Sequence, residues 1–216
     1  MARAGLNRGK VASAALELID REGLDAFTMR RLGEHLGVTP MAVYRHVRDR
    51  EELFDAVVEV IFDEIDVGAL PWDLGWRALA EQYCHRMRDT LGNHPHAVTI
   101  FAGRPVRSAL SIATGTRMIE QFAGEGIAPA DSLRALRALR EFTIGHALSL
   151  AALHLGSAER SRKPGPQERG RTVLADADDA TGIGDHFAFG LTAMLDGLAH
   201  SPAFAGAAPR YPNTEA

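Results

Sequence analysis

The chain has 216 residues, 46% of them hydrophobic and 24% charged, which is the composition of a globular protein and excludes a disordered or fibrous one. Its single cysteine, Cys84, excludes an internal disulfide and a cysteine-based zinc centre, and reads as a small core residue. The net charge of −4 argues against nucleic-acid binding only until the chain is divided: residues 1–50 carry nine Lys and Arg against six Asp and Glu (+3), and the rest carries 15 against 22 (−7).

In chain order, Met1 to Leu6 form an arm with Arg3, followed by Arg8 and Lys10, that either reaches a phosphate or the minor groove or frays. Asn7 caps a first helix, in which Val11, Ala14, Ala15, Leu18 and Ile19 repeat at helical spacing until Gly23. Thr28 caps a second helix, and Phe27 and Leu32 staple its entry. Gly37 ends it, where a residue without a Cβ accepts a left-handed backbone. Thr39 then caps a third helix with Pro40 at its first position, and Val38 and Val43 form a second staple. Two short capped helices joined by about three residues make a helix-turn-helix.

At about 100° per residue, Val43 and Val47 share one side of the third helix, and Met41, Tyr44, Arg45 and Arg48 share the other. Pro40 and His46 flank that outer face. A solvated face would carry Glu or Lys. Arginine forks match phosphates and the guanine edge, and a tyrosine reaches a phosphate or packs on a thymine methyl. The expected DNA contacts are Thr28, Met29 and Arg30 on the second helix, Thr39, Pro40, Met41, Tyr44, Arg45, His46 and Arg48 on and after the third, and Arg50 beyond. The alternative is an ordinary basic helix pair in a bundle.

Asp49 caps a fourth helix over 49–66, about 27 Å long, which starts at the reading helices and ends in the body as a lever. A break at 68–71 marks a domain boundary. From Trp72 the pattern is helical throughout, with helices over 72–92, 95–102, 105–123, 129–158 and 183–200. Residues 159–182 are rich in Pro, Gly and charge and read as a flexible loop, either a gate or a plain linker; the tail over 201–216 reads as disordered. The stretch FTIGHALSLAALHL at 142–155 is apolar on most sides and too short to span a membrane. The last helix is similar, with Gly190 and Gly197 permitting close approach. Two such helices from each of two subunits would form a four-helix homodimer interface; the alternative is that both are internal core.

The segment from Thr28 to Leu53, with its LGV turn and Tyr44, His46, Arg50 and Leu53 in register, resembles the DNA-binding segment of TetR-family transcriptional regulators, and the likeness extends over residues 7–66. More weakly, residues 187–198 and Trp76 to Arg104 are similar to the tetracycline-repressor branch. The resemblance implies an all-α fold: a helix-turn-helix domain (1–48), a connecting helix (49–66) and a helical effector-binding and dimerisation domain (67–200). It also implies a palindromic double-stranded DNA operator and a drug-like small-molecule effector. Tyr83, Met87, Phe101 and Arg104 would line the effector pocket, with Met118, Phe122, Phe142 and His146 as further candidates; each is also an ordinary core residue. The chain departs from the tetracycline binders in carrying Asp66 and Phe101 where those have metal- and drug-contacting histidines, so a magnesium–tetracycline complex is not expected. No Walker, GxGxxG, GxSxG or HExxH motif occurs, and His94, His96, His146 and His154 are not spaced as metal ligands. A non-enzymatic, cofactor-free, metal-free cytoplasmic regulator away from the membrane is expected, a repressor or alternatively an activator, with regulation lacking a small-molecule effector as a further alternative.

Overall fold

The computed structural model describes residues 5–105, 107–156 and 185–206. Among these, the secondary structure is helical, with no strand. The helices are α1 (Arg8–Glu22), α2 (Met29–Leu36), α3 (Pro40–Val43), α4 (Arg50–Glu64), α5 (Trp76–Asn93), α6 (Val98–Ala102), α7 (Ala109–Ala123), α8 (Pro129–Leu155) and α9 (Asp185–Ala199). The loop expected over 159–182 lies outside the described residues, as do Arg3 of the arm and 207–216 of the tail.

The chain forms two compact units, and the division differs from the expected one. Residues up to Leu70 cluster with His85–Arg117; Pro71–Cys84 cluster with the residues from Met118 onward. Residues 85–117, expected in the second domain, cluster with the first unit. Polar side chains hold them there: Arg86 donates to Asp66 O (3.2 Å) and Oδ2 (3.1 Å) and to Ala69 O (3.3 Å). These bonds secure Asp66 in a left-handed conformation, φ 52°, which a residue with a Cβ adopts at a cost of about 1–2 kcal/mol.

In the first unit every expected cap forms. Asn7 accepts from Lys10 N at 2.9 Å, Thr28 from Arg31 N at 3.2 Å, Thr39 from Ala42 N at 3.3 Å and Asp49 from Glu52 N at 2.8 Å. Each such cap contributes about 1 kcal/mol. Gly37 is left-handed, φ 66°. Val11, Leu18 and Ile19 of α1, Leu32 of α2, Val43 of α3 and Leu53, Val57 and Ile61 of α4 are buried together, each contributing about 1.5–3 kcal/mol. Gly33 has a role that reading the chain for periodicity passes over. A Cβ there would meet Val38 O at 3.0 Å and Pro40 N at 3.2 Å, so the turn between α2 and α3 lies directly on it. Gly33→Val should lower the stability of this unit by about 1–3 kcal/mol, the usual effect of overpacking. Urea unfolding with the midpoint unchanged would show that the turn gives way freely.

In the second unit α8 packs against α9. Phe142 stacks on Phe187, with ring centroids 5.4 Å apart. A Cβ on Gly190 would lie 2.8 Å from Phe142 Cζ, which gives physical content to the close approach expected there. Trp76 packs edge-on to Phe122 at 6.0 Å and to Phe204 at 4.7 Å. Residues 201–206 therefore correct the expectation of a disordered tail from Ser201: they form turns, and Phe204 is buried. Helix boundaries also shift. Residues 72–75 and 94–97 form turns, closed by Leu74 N to Pro71 O (3.0 Å) and Ala97 N to His94 O (2.9 Å), so α5 and α6 begin later than their hydrophobic patterns predict. Likewise α7 starts at Ala109, α8 ends at Leu155, and α9 runs from Asp185 to Ala199.

Candidate functional site

The helix-turn-helix presents an unusual outer face. Met41 is 71% exposed and Tyr44 41%, while Val43 and Val47 on the opposite side are buried. Arg45, Arg48 and Arg50 are also exposed, and His46 and Pro40 are partly so. The third helix is shorter than its sequence suggests. After Val43 the chain continues in tightened turns, with His46 N bonded to Val43 O at 2.9 Å and Val47 N to the same oxygen at 3.3 Å. These turns still return Val47 to the core, so the two faces remain distinct.

Each basic residue is held differently. Arg48 donates through its backbone N (2.6 Å) and Nε (3.0 Å) to Glu52 Oε2, yet its side chain stays 85% exposed. The backbone bond, then the side-chain bond, hold the Glu52 carboxyl below the usual carboxylate range, and the side-chain bond raises the Arg48 guanidinium further. The Arg50 guanidinium lies 5.7 Å from the Phe27 ring centroid and 4.9 Å from that of Phe54, so it is also the lid of an aromatic pair. Arg30 reaches Glu34 at 3.8 Å on an exposed surface. Thr28 and Thr39 are exposed with their hydroxyls engaged as caps, and Met29 is half-buried. The helix-turn-helix thus offers two cap threonines, an exposed thioether, a phenol and several guanidiniums.

The candidate ligand residues fall in both units. Met87 and Phe101 of the first unit and Met118 and Phe122 of the second are buried; Tyr83, Phe142 and His146 of the second are half-buried. Burial pushes the Tyr83 hydroxyl above the ordinary tyrosine range, with Arg140 pulling the other way. The His146 ring lies 4.9 Å from that of Phe187 and 6.4 Å from that of His186. Arg104 is engaged elsewhere: it pairs with Glu51 and, at 2.8 Å, with Asp55 of α4, and lies 5.5 Å from the Phe54 ring centroid. With Arg8, Arg48 and Arg107 it lines a polar groove of about 420 Å³ whose other wall is the acidic side of α4. The sequence holds only half of that signal, carboxylates at 51, 55 and 59 spaced to share one helix face. Among the described residues no group of three or more His, Cys, Asp and Glu could hold a metal ion, and no helix is long and apolar enough to cross a membrane.

This geometry has counterparts. A family model described as bacterial regulatory proteins, tetR family, matches residues 11–57, and one described as tetracyclin repressor-like, C-terminal domain, matches residues 70–201. The chain is 30% identical over 201 residues to the tetracycline repressor protein class A from transposon 1721 of Escherichia coli, covering 90% of this chain and 91% of that one. A single-substitution variant of TetR from Acinetobacter baumannii AYE, in complex with minocycline, superposes with a TM-score of 0.74 at 25% identity over 89% of this chain and 92% of the other. BioQ with its double-stranded DNA operator superposes with a TM-score of 0.65 at 25% identity, covering 91% of this chain and all of that one (100%).

Proposed function

Because the chain belongs to the tetR family of bacterial regulatory proteins, we propose that it is a homodimeric, DNA-binding transcriptional repressor that a small-molecule effector releases from a palindromic operator. The observation that carries this is the outward face of Met41, Tyr44 and Arg45 on a helix-turn-helix whose inner face is closed. Those side chains have the chemistry to read a major groove, and the flanking guanidiniums and cap threonines to hold phosphates. Exposed Leu153, Leu155 and Phe189, the last 78% exposed, support a dimer through α8 and α9. The dimer sets two reading helices about one DNA turn apart.

The similarity to a repressor bound to minocycline supports an effector in the C-terminal domain. Apolar Met and Phe side chains with the Tyr83 hydroxyl as a polar handle suit a largely apolar, drug-like molecule. Arg104 joins the loop after α6 to the first turns of α4, beside the reading helices. A ligand that shifts that loop would tilt α4 and change the spacing between recognition helices. A coupling of ~1–3 kcal/mol, about 5–150-fold in operator affinity, is expected. The working compartment is the cytoplasm and the role is non-enzymatic.

The test is binding of the purified protein to DNA flanking its own gene, followed by fluorescence anisotropy across a salt series. Saturable, sequence-selective binding by a dimer, with a log–log salt slope of about −7 for some eight phosphates, is expected. Equal affinity for random DNA would refute the repressor reading. A ligand that binds tightly and leaves operator affinity unchanged would refute the release mechanism and favour regulation without a small-molecule effector.

A further inference from the structure

His94 lies between α5 and α6, and its ring reaches both α1 and α4. Its Nδ1 is 2.7 Å from Asp20 Oδ2, and its Nε2 is 2.7 Å from Glu64 Oε2. Both partners are carboxylates, which accept, so both ring nitrogens must donate, and only the imidazolium carries a proton on each. The His94 side chain is only 12% exposed and that of Asp20 26%, so water screens this pair weakly, whereas Glu64, 46% exposed, is screened more. The second oxygen of Asp20, Oδ1, is buried with no hydrogen-bond donor among the described residues, so the charge on Asp20 is offset chiefly through Oδ2. Asp20 belongs to the last turns of α1, and Glu64 is the final residue of α4. The opposite end of α4 is capped by Asp49, directly after the recognition turns. One ring therefore fastens the far end of the helix whose near end carries the reading surface. The charged groups acting on it are Asp20 from α1 and Glu64 from α4. Its own segment brings His96, whose ring lies beside Gly23, 3.5 Å from where a Cβ would be.

We propose that His94 is a positioning residue for DNA binding, its imidazolium latching the end of α4 onto α1, and that loss of its proton opens the latch and weakens operator binding. This rests on the repressor reading above. The hydrogen bond to Asp20, opposed by burial and reinforced by the bond to Glu64, raises the imidazole pKa from 6.5 to about 8. A folded-state pKa above the unfolded value means that the stabilisation is complete below about 6.5 and is lost as pH rises through about 8.

The experiment is operator binding by the full chain from pH 6.5 to 9 at fixed ionic strength, for the wild type, His94→Gln and His94→Arg. The wild-type dissociation constant should rise about three- to tenfold between pH 7 and 9, within the tenfold per pK unit that linkage allows. His94→Gln, whose single amide cannot serve both carboxylates, should bind more weakly with no pH step. His94→Arg, a permanent cation with a forked donor set, should restore tight binding across the range. A purely structural residue would lower affinity without removing the step. The imidazole midpoint of His94, followed by NMR in the same samples, should lie near 8. A midpoint near 6.5, or a wild-type pH step surviving in His94→Gln, would overturn the latch. Absence of operator binding by the wild type at every pH would overturn the repressor reading and the latch's DNA-binding role together. The NMR midpoint would then distinguish that case from a latch that never forms.

Discussion

Val43→Asp should abolish the folded helix-turn-helix unit. Val43 is fully buried on α3, which packs against α2. An unpaired charge there would cost several kcal/mol, comparable with the whole stability of a domain, about 5–15 kcal/mol. Circular dichroism should show a loss of helix, and operator binding should vanish with it. The effect has a pH signature. The buried carboxyl would have its pKa raised above the unfolded value of about 3.9, so the penalty is full at neutral pH and shrinks as the group takes up its proton in acid. The stability difference from wild type should therefore be smaller at pH 4 than at pH 7. A wild-type melting curve at pH 7 would place Val43 outside the core and turn the recognition surface by about half a revolution.

Tyr44→Ala should do the opposite: leave the fold intact and weaken the operator complex. Tyr44 follows α3, its backbone N bonded to Pro40 O at 3.1 Å, a bond that alanine keeps. Its ring projects outward with Met41. Removing it should change stability by no more than about 0.5 kcal/mol. Loss of a base or phosphate contact should weaken operator binding by about 1–3 kcal/mol, roughly 5–150-fold. Arg45→Ala in the same assay should reduce the salt slope by about one if its partner is a phosphate, and relax sequence preference if its partner is a base. Tyr44→Ala with unchanged affinity would remove Tyr44 from the reading surface.

The local part of the fold was legible because its signals are local. Thr28, Thr39, Asp49 and Gly37 act on backbone within four residues of themselves, so their chemistry can be read without a tertiary structure. The outward face of α3 followed from the same short-range geometry, and the tightened turns after Val43 shortened the helix without moving its faces. What escaped was held by partners far apart in sequence. His94 meets Asp20 across 74 positions and Glu64 across 30; Arg104 meets Glu51 across 53. Nothing near any of these residues announces the other. The same applies to Phe204, an aromatic in a segment of small and turn-forming residues that finds Trp76. Gly33 was hidden for a different reason, since a glycine inside a helical pattern reads only as a weak helix former until the turn above it is seen. Among the ligand candidates, apolar type could be read from the sequence. The engagement of Arg104 with α4 could not, because its acidic partners look like an ordinary solvated helix face.

Cys84 is fully buried, and burial raises its thiol pKa to about 11. At pH 7 only about one molecule in ten thousand would carry the reactive thiolate. The chain has no other cysteine, so it is already a silent background for site-directed labelling. A cysteine placed at Asp25, exposed in the turn between α1 and α2, would take a spin label or fluorophore with little competition. Two labelled copies in a dimer would then act as a molecular ruler, reading the separation of the helix-turn-helix units with and without effector and at each pH.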